Sequence, residues 1–156
     1  MRQSMAVVLF LVLAIAGCGS AGNEAVASAA SAPTVPLTIL TAGQKHAFRV
    51  EVARTEVQQE RGLMFRSDLA PDAGMIFPMD PPRTASFWMK NTIIPLDMIF
   101  IRADGTIARI APQTVPYSLV PVSSGEPVAA VLEIAGGRAA ELGINEDDKV
   151  LWTDKP

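Results

Sequence analysis

A mostly β domain with one or two short helices is the fold class this 156-residue chain predicts, on three observations. Period-two alternation runs through "AFRVEVA" (47–53), where Phe48, Val50 and Val52 interleave with Arg49 and Glu51. Asp104-Gly105 lies between two apolar runs, the composition of a tight hairpin. Helical spacing occurs only twice and briefly, in "TEVQQERGLM" (55–64) and "GGRAAELGI" (136–144).

In chain order, Leu37–Leu40 and Ala47–Ala53 are strands bounded by the turn composition "TAGQK". Thr55 followed by Gln58 has the form of a capping box and Gly62 a stop, so a helix is expected over 56–61. Further strands are expected at Gly74–Pro78, Ser86–Lys90, Asp97–Arg102, Thr106–Ile110, Val128–Ile134 and Lys149–Trp152. A second helical turn or two precedes Gly143. A two-residue type I′ loop at Asp104-Gly105 would pair Arg102 with Ile107, Ile101 with Ala108, Phe100 with Arg109 and Ile99 with Ile110. Asp97 then shares a face with Ile99, Ile101 and Ile110, while Leu96, Met98 and Phe100 occupy the other. Both faces are apolar near Asp97, which predicts a central strand. A carboxylate there needs a partner: Lys90, Arg61, Arg66, or Asn91 with backbone amides.

The first residues carry Arg2 and an apolar stretch from Met5 to Ala16, short for a span and suited to a secretory h-region. Ile15-Ala16-Gly17-Cys18 has the form of a bacterial lipobox, and Cys18 is the sole cysteine. The expectation is a signal peptide over residues 1–17, acylation of Cys18, a tether over 18–36 and a single domain over 37–156; an ordinary signal peptide cut nearby is the plainer reading. Gly19 carries no aspartate-type retention signal, which points to the periplasmic face of the outer membrane in a diderm cell. Removing Arg2 leaves 12 basic against 16 acidic side chains. No basic cluster remains, so nucleic acid and anionic membrane surfaces are poor partners. The lipid makes the membrane the expected partner.

The blocks "RGLMFRSDL" (61–69), "GMIF" (74–77), "FWMKNTIIPLDMIFI" (87–101), "DG" (104–105) and "VLEIAGGRAAELGI" (131–144) resemble the domain of unknown function 192 family, in the family's order. The resemblance implies a small β-sandwich or jelly-roll-like barrel with short helices, often exported, and no assigned reaction. Many relatives place a glycine-aspartate pair before the last strand; this chain has Asp147-Asp148, which leaves that turn's geometry open.

His46 is the sole histidine and stands in a turn, and no "GxSxG" occurs, so a serine triad lacks its parts. No ligand spacing supports a metal, and no cofactor is expected. The methionines of the mature chain are read as core filling rather than Cu(I) ligands. Asp97 and Glu133, each in an apolar strand, are the candidate acid/base pair of an envelope hydrolase. Against this stands a non-enzymatic module that binds an anionic or sugar-like small molecule, or an envelope protein. Its candidate residues are Trp88 as an apolar wall, Lys90 and Arg66 for charge and Asn91 for directional hydrogen bonds, with Arg61, Asp97 and Glu133 as further candidates. Two carboxylates converging on a cleft would favour the hydrolase.

Overall fold

The computed structural model describes residues 33–153. The signal segment, Cys18 and tether residues 19–32 lie outside them. Seven strands and two short helices follow in order: β1 (Thr34–Thr41), β2 (Gln44–Val52), α1 (Glu56–Arg61), β3 (Ala73–Phe87), β4 (Leu96–Ile101), β5 (Ile107–Thr114), β6 (Val122–Ala135), α2 (Arg138–Glu141) and β7 (Lys149–Trp152). β1 begins three residues inside the stretch expected as tether, because Thr34, Val35 and Pro36 pair with Glu51, Val50 and Arg49.

The strands form one sheet in the order β5-β4-β6-β3-β2-β1-β7. All ladders are antiparallel except β2–β3, whose parallel crossover carries α1. A single bridge, Thr106 to Lys149, links the two ends of the sheet, which does not close into a barrel. Each face has its own core. On one face Leu37, Ile39, Val50, Ile99 and Leu132 cluster with Ala139 and Ile144 from the α2 region. On the other, Met75, Phe77, Met98, Phe100 and Val131 are roofed by Leu63 and Met89 from connecting segments. β4 lies between β5 and β6 and is buried throughout, the central strand its sequence predicts.

Two expectations need correction. The 104–105 hairpin has a three-residue loop, with Gly105 at φ +86° and its N–H on the Arg102 carbonyl. Ile101 therefore faces Ile107, and the expected register returns only at Phe100–Arg109 and Ile99–Ile110. A type I turn followed by a left-handed glycine suits the sheet's twist as well as a type I′ turn does. Second, Ser86–Lys90 is not a separate strand. β3 runs unbroken past Pro78 to Phe87, bulging between Pro78 and Arg83, and Lys90-Asn91 form a turn closed by the Thr92 N–H on the Met89 carbonyl. The approach to β7, which the sequence leaves open, is left-handed without glycine: Asp147 adopts φ +69°.

Candidate functional site

The site begins with α1. Thr55 and Gln58 form the capping box, Gln58 N–H on Thr55 Oγ1 at 3.2 Å and Thr55 N–H on Gln58 Oε1 at 3.0 Å. Gln59 Nε2 then donates to the carbonyls of Ala53 and Pro78, pinning the helix across β3. Gly62 ends it at φ +46°, ψ −133°, a conformation open essentially to glycine alone. The missing side chain matters here. A Cβ on Gly62 would stand 3.3 Å from the Phe77 ring and 3.9 Å from Glu133 Oε2.

Between α1, the outer half of β3 and the 88–92 turn lies a pocket of about 670 Å³. Glu133 forms its floor, only 5% exposed. No hydrogen bond or ion pair from the described residues reaches its carboxyl, and burial alone pushes its pKa up to about 8. At neutral pH Glu133 is therefore a protonated acid, able to donate one hydrogen bond into the pocket. Phe77 and Phe87, edge to face at 5.1 Å, line the apolar side. Trp88 is half exposed, with Lys90 Nζ 5.2 Å from its ring centre. Arg61, Arg83 and Lys90 place three exposed cations around the pocket, opposed by Glu56 and Glu60 of α1.

The structure thus brings together Arg61, Trp88, Lys90, Asn91 and Glu133 of the expected set. Arg66 is elsewhere: both its terminal nitrogens hold the Glu51 carboxylate, at 2.6 and 2.7 Å. Asp97 is also elsewhere and has no cation. Its Oδ1 accepts from the amides of Gln113 and Gly137, and its Oδ2 from that of Ala139, all at 2.7–2.8 Å. It is a hydrogen-bond hub that ties β5 and the start of α2 to β4, not half of an ion pair. The Asp97–Glu133 acid/base pair is not assembled. Asp97 stands opposite Ile134 and Glu133 opposite Met98, so the two carboxyls leave the sheet on opposite faces.

Sequence reasoning missed Arg83 and Gln59. Arg83 follows "DPP", whose composition signals the break that lets β3 bulge and turn a cation toward the pocket. Gln59 carries no comparable signal.

The comparisons agree with this architecture. A protein of unknown function from Novosphingobium aromaticivorans DSM 12444 is 47% identical, over 80% of this chain and 89% of that one, with a TM-score of 0.77. A protein named as a candidate transcription regulator from Sinorhizobium meliloti 1021 is 42% identical, over 76% and 93%, with a TM-score of 0.75. No curated protein matches. Residues 38–152 match the domain of unknown function 192, described as an uncharacterized ACR, and the chain belongs to that family.

Proposed function

We propose that this chain is an exported lipoprotein, acylated at Cys18 and held at the cell envelope, whose domain is a non-enzymatic binding module. The small molecule it takes is anionic and polyhydroxylated, as an acidic sugar is. Glu133 carries the reading. Its carboxyl has no bonding partner among the described residues and opens to the pocket, where water or a ligand can bond it. The protonated acid suits a ligand hydroxyl or carbonyl, Lys90 and Arg61 suit the anion, and Trp88 suits the apolar face of a ring. Affinity is expected to be modest, since the pocket is open and partly wet. Catalysis by Asp97 and Glu133 is not carried forward, for want of convergence. The regulatory name of the Sinorhizobium protein is not carried over either, because this chain is acidic overall and its pocket is mixed in sign.

The test is calorimetric titration with glucuronate, glucose and inorganic phosphate. Glucuronate should bind most tightly of the three, and Lys90→Met and Glu133→Leu should each weaken it. Equal heats for all three probes, or glucuronate binding untouched by both substitutions, would refute the pocket as its site.

A further inference from the structure

The segments that roof the second core turn an apolar surface outward. Among the described residues, most exposed large apolar side chains belong to just three segments: Phe65 after α1, Trp88 and Ile93 in the 88–95 crossing, and Tyr117, Leu119 and Val120 before β6. Backbone hydrogen bonds stitch these segments into one layer. Phe65 N–H donates to Asn91 O, Tyr117 N–H to Thr92 O, and Met89 N–H to Ser118 O.

Two features mark the layer as more than a cover. Phe65 at φ +65° and Tyr117 at φ +60° hold left-handed conformations that bulky side chains rarely adopt, with Asn91 at φ +55° between them. Both aromatic residues are more than half exposed, so the surroundings hold strained backbone while burying neither ring. The layer is also almost free of charge. Residues 84–95 contain Lys90 alone, 112–124 contain none, and Arg66 is neutralised by Glu51. A surface of aromatic and branched apolar residues with few charges, Lys90 and Asp68 among them, is suited to a lipid interface, where such rings settle at headgroup depth.

The route of the chain points the same way. β1 opens at Thr34, opposite Glu51, and Glu51 holds Arg66, the neighbour of Phe65. The chain from Cys18 therefore enters the domain beside this layer. The 15 residues from Gly19 to Pro33 reach at most about 50 Å when fully extended. We infer that the Phe65–Trp88–Tyr117–Leu119–Val120 surface docks on the lipid bilayer that holds the acylated N-terminus, laying the domain against the membrane. The inference rests on acylation of Cys18; it shares Trp88 and Lys90 with the pocket but does not depend on which ligand the pocket takes.

The experiment uses the full acylated mature chain carrying Trp152→Phe, so that Trp88 is the remaining indole, reconstituted into phosphatidylcholine–phosphatidylethanolamine vesicles. Trp88 emission should shift to shorter wavelength and be quenched when the acyl chains are brominated near the carbonyl. Adding Leu119→Asp with Val120→Asp should abolish both effects while the protein still floats with the vesicles and keeps its melting temperature. Flotation without quenching of Trp88 would overturn the inference and leave the surface to a protein partner. Failure of the chain to float at all would remove the acylation, and the docking with it, whatever glucuronate does at the pocket.

Discussion

Asp97 and Glu133 lie on neighbouring strands one residue out of step, and their carboxyls point to opposite faces of the sheet. One is met by three amides and the other by none. Two acids in equally apolar surroundings thus have opposite roles, and each gives a prediction.

Asp97→Ala leaves the amides of Gln113, Gly137 and Ala139 buried without an acceptor, and should cost about 3–5 kcal/mol. Asp97→Asn should not restore stability, because its amide nitrogen would confront a backbone N–H in place of one oxygen. Urea unfolding checks both; an unchanged midpoint in either variant would show that the hub is dispensable.

Glu133 makes stability depend on pH in the reverse sense to a salt-bridged carboxylate. Its folded pKa, about 8, lies above the ordinary value of 4.5, so the native state holds the proton more tightly. Between those values the unfolded chain binds fewer protons, so stability falls as pH rises from about 4.5 to about 8 and then levels off. Glu133→Gln should flatten this decline and be the more stable chain at pH 8 by roughly 2–4 kcal/mol. Parallel pH profiles of wild type and variant would show that Glu133 is not buried as an acid.

Gly62→Ala should destabilise by about 1–3 kcal/mol from backbone strain alone. The added methyl also presses on Phe77 and shades Glu133, so glucuronate binding should fall further than stability does. A variant with wild-type melting temperature and affinity would show that the α1 stop can relax.

At the 88–92 turn, Lys90→Met and Asn91→Gly should leave the denaturant midpoint within about 0.5 kcal/mol of wild type. Glycine suits the positive φ of Asn91, so this substitution removes the amide without adding strain. Glucuronate affinity should drop in both. Loss of stability without loss of affinity would return the pair to the scaffold.

Much of the fold was legible because its signals are local. The Thr55–Gln58 box set α1, the Gly62 stop ended it, and the 149–152 strand emerged at its expected bounds. The alternation around Asp97 assigned Ile99 to one face and Met98 to the other, because side chains along a strand alternate whatever the partner. The hairpin register slipped near its turn because Asp-Gly serves either a two-residue loop or a three-residue loop with a left-handed glycine, and only the pairing selects one.

The sequence by itself determined that Asp97 and Glu133 would be buried, that the chain would be mostly β, and that Trp88, Lys90 and Asn91 would stand together. Tertiary structure alone decided their partners. A buried carboxylate announces the need for donors but not their source, and Asp97 draws its donors from amides 16, 40 and 42 residues away. The same strand pairing placed Glu133 beneath Gly62 instead, where no described residue bonds it and a pocket opens, because contacts between distant segments are set by how the sheet and its crossings fold back on each other.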